Sequence, residues 1–348
     1  MRGIVVLFAL AIAVTAAAAN PYKDIRDTSV YCSNGLTCQL GLGSLEPPGK
    51  GLVYRAEITR QSGPNKHPEL VLYSAKPFKD GSAVRFLSGG KEIFKLEADR
   101  FARSDDDWDN RLKDGALVRE LIAVLHDAND AEIEHENADG KHADRFSLSG
   151  FVGALRYMDE VQERLDTEDA LEVKGPKPSG GPSVRDLLSV DDLPEDMKAL
   201  FKSEGECEFF EIARFGRMGG FEAQLDDTNS LLVAPCGEGG AYNQPYALYA
   251  VTDLGFKRIG LPAMGEDGPV IIEEAWNIGW DHPKKELESF FKGRGLGDCG
   301  SFDRWKLINA GLGEPDFTLV EARVKDDCDG SDGGGIEKWP ALWPPEKK

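Results

Sequence analysis

Six cysteines, spaced along the chain as three sequential couples, constrain this sequence more than any other feature. Cys32 stands near Cys38, Cys207 near Cys236, and Cys299 near Cys328. Six cysteines allow fifteen pairings, and chain order favours these nearest-neighbour couples. An even number in an oxidising compartment reads as disulfides rather than as thiols or metal ligands. No C-x-x-C spacing occurs, and Cys32 and Cys38 have five residues between them, which argues against structural zinc. Each of the last two couples closes a loop of about thirty residues, worth roughly 3–4 kcal/mol in the chain-entropy model. That is a large share of a typical folding margin of about 5–15 kcal/mol.

Export is legible at the front. Arg2 is followed by an apolar run from Ile4 to Val14 and then by Ala17, Ala18 and Ala19. A charged start, a short apolar middle and a small-residue exit form a secretory leader over residues 1–19, and the run is too short for a membrane span. The mature chain is expected to begin near Asn20, in the periplasm. Cys32 lies well past that point, which argues against a lipid-anchored terminal cysteine. No later stretch is apolar for long enough to span a bilayer. The formal charge of −20 repels phosphate backbones and anionic headgroups, which removes nucleic acid and membrane surfaces as partners.

With 348 residues, 41% of them hydrophobic, the chain is long enough to bury two cores. Leu52 to Arg60 alternates as a half-buried strand, with Tyr54, Ala56 and Ile58 on one face. Ala83 to Ala98 reads as a hairpin turning at Gly89-Gly90, where glycine accepts the positive φ. Helical spacing then takes over at Leu117, Leu121, Ile122 and Leu125, and again at Leu148, Phe151, Leu155, Met158 and Val161, with Ser147 or Ser149 as the cap. Both helices are expected on the first sheet.

Lys174 to Pro182 is punctuated by proline and glycine and is read as a linker between an N-terminal unit, 20–173, and a C-terminal unit, 183–348. Beyond it the pattern predicts a short helix around Pro194 to Phe201. Strands are expected at Phe209–Phe215, Phe221–Leu225, Leu231–Pro235, Tyr246–Val251, Val270–Trp276, Glu286–Lys292, Trp305–Asn309 and Phe317–Val324. The expected fold is mainly β within an α+β class: two β-rich domains, sandwich or barrel-like, the first with two packed helices, stapled by disulfides. Lys292 to Trp343 reads as a hairpin whose ends the Cys299–Cys328 couple pins.

Several stretches together resemble one known family. They are YCSNGLTC at Tyr31, SLSGFVGALRYMDEVQERLDTEDAL at Ser147, LLVAPCGEGGAYNQ at Leu231, and KGRGLGDCG, DDCDG and WPALWP towards the end. In this order, and over nearly the whole mature chain, they are similar to the exported bacterial proteins of the domain of unknown function 1176 family. The resemblance implies a periplasmic location, cysteines at family positions and a front part similar to the invasion-associated locus B proteins. It implies no activity. The chain departs from the pattern where a tryptophan is expected before the first cysteine and Asp-Asn after it: Tyr31 precedes Cys32, and Ser33-Asn34 follows. No functional residue carries over.

Five patterns with chemical potential read better as structure. Gly295-x-Gly297-x-x-Gly300, with Glu321 downstream, matches a dinucleotide fingerprint, but the segment that follows is too short and too broken to be the helix that motif needs, and no cofactor is expected. Asp327, Asp329, Ser331 and Gly333, and likewise Asp105, Asp107 and Asp109, space oxygens as a calcium loop would but lack its glycine or its closing acid. His135, Glu136, His142 and Asp144 cluster on an expected loop, with the histidines seven apart rather than the four of an H-E-x-x-H pair, so no metal is assigned. Glu273, Glu274 and Asp281 beside Trp276 and Trp280 are the raw material of a glycosidase, although adjacent acids on a strand face opposite ways. Trp339, Pro340, Trp343, Pro344 and Pro345 read as a lid on the second core, in a terminus not expected to continue a sheet.

No catalytic, cofactor or metal residue is therefore assigned. The leading expectation is a non-enzymatic envelope protein that binds another envelope protein or a cell-wall component. The alternative is an envelope hydrolase of sugar polymers acting around Glu274.

Overall fold

The computed structural model describes residues 20–46, 53–74, 76–103, 109–265, 267–308 and 315–345. The expected leader, Asp105 and Asp107 lie outside these residues. The fold is mainly β: among the described residues an eleven-stranded sheet is followed by a six-stranded, a two-stranded and a five-stranded one. No helix among them is long and apolar enough to cross a membrane. Three disulfides join Cys32 to Cys38, Cys207 to Cys236 and Cys299 to Cys328.

Period-two alternation builds the first sheet. Leu40, Ile58, Leu70 and Leu112 are successive cross-strand neighbours on Cys38–Ser44, Val53–Arg60, Glu69–Ser74 and Asp109–Leu112, and all four are buried in the first core. Their chain neighbours necessarily face the other way. Two helices cover the inward face. In α1 (Gly115–Leu125) Val118, Leu121, Ile122 and Leu125 are buried, and Asp114 caps the start by accepting from the amides of Ala116 and Leu117. In α2 (Phe151–Val161) Phe151, Ala154, Leu155 and Met158 are buried.

The cap of α2 differs from the serine expected there. Gly150 is the cap residue, at φ 98°, and no side chain accepts from the first turn. A Cβ at Gly150 would lie 1.8 Å from the carbonyl oxygen of Ile25, so the close approach of the first strand to the helix start selects glycine.

A buried ionic knot holds the chain leaving α2. Asp159 pairs with Arg60 at 2.7 Å, both side chains fully buried, and also accepts from the amides of Leu171 and Glu172. Gln162 bonds Arg60 and the carbonyl of Leu36. The segment expected to be a linker is hydrogen-bonded back onto its own approach, Lys177 N–H to Asp166 and Gly175 N–H to Thr167.

The Cys32–Cys38 staple closes a turn that reaches into the second half. Leu36 at its tip is buried with Val184, Phe221, Leu231 and Trp280 in the C-terminal core. Gly35 lies so close to the strand Val184–Leu187 that a Cβ would stand 2.2 Å from the amide nitrogen of Asp186. At Phe209–Phe215, where a strand was expected, the chain forms a 3-10 turn, Ile212–Arg214, and a short helix, Phe215–Met218. Phe201, Phe210 and Phe215 meet edge to face at 5.6–6.0 Å beside the Cys207–Cys236 bond, and burying these rings outweighs strand propensity.

The last sheet carries the stapled hairpin, Gly300–Ile308 against Asp316–Lys325. The terminus, contrary to expectation, does continue it: Ala341–Trp343 pairs with the Asp316–Lys325 strand. Pro340 and Pro344 sit just outside this three-residue strand, where the missing N–H groups are not needed by the ladder. Trp339 is buried against Phe290 and Phe302 and donates its indole N–H to the carbonyl of Asp332.

Candidate functional site

The outward face of the first sheet is the floor of a cleft of about 670 Å3 between the two halves of the chain. Tyr31, Gln39, Thr59 and Glu69 line that floor as consecutive cross-strand neighbours, set by the same alternation that buries Leu40, Ile58 and Leu70 on the opposite face. Arg111 extends the row, bonded to Glu69 at 3.0 Å and to Asp109 at 2.9 Å. Tyr73 adds a second phenol, pushed up to about 12 by burial and the nearby Glu57 carboxylate, so it stays protonated at neutral pH.

The facing wall comes from Arg185, Asp186, Leu188, Asp192 and the glycine-rich turn Gly216–Gly220. The stapled turn supplies the end of the cleft and is docked to this wall: Asp186 accepts from the Ser33 hydroxyl at 2.6 Å and the Gly35 amide at 3.0 Å. Arg185 is held by Glu222 at 2.7 Å and the Asp192 carbonyl at 3.0 Å. The Asp192 carboxylate accepts from the amides of Leu188 and Ser189. Buried Tyr246 donates to the Met218 carbonyl at 2.8 Å, which fixes the glycine turn from behind.

Five cations line the cleft, of which Arg60 is paired with Asp159, Arg111 with Glu69 and Asp109, and Arg185 with Glu222, leaving Lys66 and Arg217; Asp186 and Asp192 are the other lining carboxylates. Each carboxylate is already held by the donors described. Lys66 and Arg217 are exposed and have no hydrogen bond or ion pair among the described residues. Two cations without an internal partner at the cleft offer charge-assisted bonds to an anionic ligand, and the phenols, amides and hydroxyls suit a hydroxylated one. No histidine or cysteine is among the residues that line the cleft.

The residues singled out from sequence lie elsewhere. A strand, Gly300–Ile308, follows Gly295, Gly297 and Gly300, and Glu321 pairs with Arg304 and Arg323. At Asp327, Asp329 and Ser331, Lys325 extends its ammonium into the turn and donates to the carbonyls of Asp298 and Asp327 and, at 2.9 Å, to Asp329. No group of three or more His, Cys, Asp and Glu side chains among the described residues is arranged to hold a metal.

His135, Glu136, His142 and Asp144 are on paired strands, Asp130–Asn137 and Gly140–Ser147, not on a loop. His135 stands directly opposite His142, ring centroids 5.5 Å apart, while Glu136 points out to Lys79. A seven-residue spacing would set the two histidines about 10.5 Å apart along a helix, whereas here it is a cross-strand pair around a tight turn. Glu273 and Glu274 occupy the bend between Gly268–Ile272 and Ala275–Trp276 rather than a strand, and neither lines the cleft. Asp281 pairs with Lys284, Trp276 meets Phe291 edge to face, and Trp280 is stacked on Phe221 in the core.

Tyr31, Ser33, Asn34 and Thr37 belong to the YCSNGLTC stretch noted in sequence, whereas for Gln39 and Thr59 alternation shows only that they face away from the core. Comparison with known proteins agrees with the sequence motifs. Residues 22–346 match the family described as protein of unknown function (DUF1176). The uncharacterized protein YpfG of Escherichia coli (strain K12) is 27% identical over 269 residues, covering 71% of this chain and 73% of that protein. No solved structure matches. With the match running through nearly all of the described chain, the protein belongs to the DUF1176 family of unknown function.

Proposed function

We propose that this is an exported, periplasmic binding protein of two units joined at Lys174–Pro182, and that the cleft between the units takes a hydroxylated, carboxylate-bearing cell-wall component. The observation that carries the reading is the pair of unpartnered cations, Lys66 and Arg217, at a polar cleft of a strongly acidic chain. Three disulfides fit an oxidising compartment. Guanidinium and ammonium groups with no internal partner are free to make charge-assisted bonds to carboxylates, which are about twice as strong as neutral ones. Phenols beside them supply flat surfaces for sugar rings.

Calorimetric titration of the mature protein with soluble peptidoglycan fragments tests this. Binding is expected that weakens with salt and falls at least about tenfold when Lys66 and Arg217 are both replaced by alanine. Absence of binding, or binding indifferent to the double substitution, overturns the proposal. Chromatography of the fragments afterwards separates binding from the alternative sugar-polymer hydrolase, which would shorten them.

A further inference from the structure

We infer that Lys285 is a reactive amine and a site of covalent capture for aldehydes, independent of the cleft. The argument is one of hydrogen-bond parity. Trp280, 2% exposed, directs its indole N–H to Nδ1 of His282 at 3.2 Å. An indole nitrogen only donates, so Nδ1 is the accepting nitrogen and Nε2 of the neutral ring carries the hydrogen. Nε2 lies 2.9 Å from Nζ of Lys285. An ammonium would bring a second N–H against the first. The contact is a hydrogen bond only if the amine lone pair accepts from Nε2. Turning the ring over presents carbons to both partners and loses both bonds.

The surroundings agree. His282 is 6% exposed, and burial, followed by the positive charge of a protonated Lys285, lowers its imidazole to about 4, so the ring is neutral at pH 7. Burial also lowers the Lys285 ammonium, opposed by the Glu163 carboxylate across the seam, while Asp281 acts on His282 in the opposite sense to burial. Lys285 adopts φ 55°, a left-handed conformation uncommon for a lysine, in the turn whose Lys285 N–H bonds back to the His282 carbonyl. Non-glycine residues held in that region cluster where function demands a fixed side-chain direction.

An uncharged amine adds its lone pair to a carbonyl carbon, the oxygen takes up a proton, and loss of water leaves the imine. His282 Nε2–H, released from the lone pair during attack, remains beside the new bond as a donor to the departing oxygen.

Lys284 is the internal reference: it is exposed, and its hydrogen bond to Asp281 holds its ammonium above the usual range. The mature protein is treated with formaldehyde and cyanoborohydride from pH 6 to 10, and dimethylation at the two lysines is followed by peptide mass spectrometry. At pH 7 Lys285 is expected to be labelled at least about tenfold faster than Lys284, since each unit of depression multiplies the free amine tenfold. In Trp280→Phe the ring keeps its place but Nδ1 no longer has to accept, so Nε2 can accept from an ammonium and the ratio falls towards one. An unlabelled Lys285 at pH 7, a Lys285 that tracks Lys284, or a ratio unchanged in Trp280→Phe overturns the inference. The wild-type comparison decides alone if the variant does not fold.

Discussion

Replacing Asp303 by asparagine should stabilise the protein, and only above a defined pH. Asp303 lies on Gly300–Ile308 between Ser289 and Ala322, half-buried, and its carboxyl has no hydrogen bond or ion pair among the described residues. Ser289, its nearest polar neighbour, is occupied by the backbone of Trp276. Burial alone raises the carboxyl from 3.8 to about 6. Between those values the folded chain keeps a proton that the unfolded chain has released, so stability falls as pH rises through this window and the loss is complete above about 6. The shift corresponds to about 3 kcal/mol, and water at the part-exposed carboxyl reduces the expected effect to about 1–2 kcal/mol. Asparagine has no charge to bury. Urea and thermal melts of both proteins from pH 3.5 to 8 should therefore show no gain at pH 3.5, a gain growing between pH 4 and 6, and a plateau above. For a chain of this length the plateau corresponds to roughly 1–3 °C in midpoint. A gain independent of pH, or a loss at pH 8, would refute the reasoning.

Two further substitutions probe the frame. Asp159→Ala leaves Arg60 buried without its carboxylate and should destabilise by about 3–5 kcal/mol, while Arg60→Met combined with Asp159→Ala should cost less than Asp159→Ala alone; denaturant titration measures both. Removing Cys207–Cys236 or Cys299–Cys328 by paired serine substitution should cost about 3–4 kcal/mol, against about 2–3 for the shorter Cys32–Cys38 loop. Cys32→Ser with Cys38→Ser should nonetheless reduce ligand binding more than either other pair, because Ser33, Asn34 and Thr37 on that loop line the cleft, and calorimetry at a temperature where all variants are folded tests the order.

Local interactions explain what was legible from the residues. The couples Cys207–Cys236 and Cys299–Cys328 are close in sequence and join neighbouring turns, so loop closure favours them. Leu121, Ile122 and Leu125 recur at helical spacing, and Gly89-Gly90 marks a turn that needs positive φ. At Phe209–Phe215 the aromatic residues sit at positions one, two and seven, which fits neither strict alternation nor one helical face, and that segment folds as turns around the Phe201 cluster. His135 and His142 were separated by a spacing rule for helices and reunited by a hairpin.

By itself, then, the sequence determined the β-rich class, the cysteine couples, the two helices and the acidic charge, because each follows from near neighbours along the chain or from composition. Tertiary structure alone decided that Leu36 enters the second core, that Tyr31, Gln39 and Thr59 line a cleft, and that Lys285 meets His282. Alternation tells a side chain to leave one core. Only the packing of distant segments decides what it faces next.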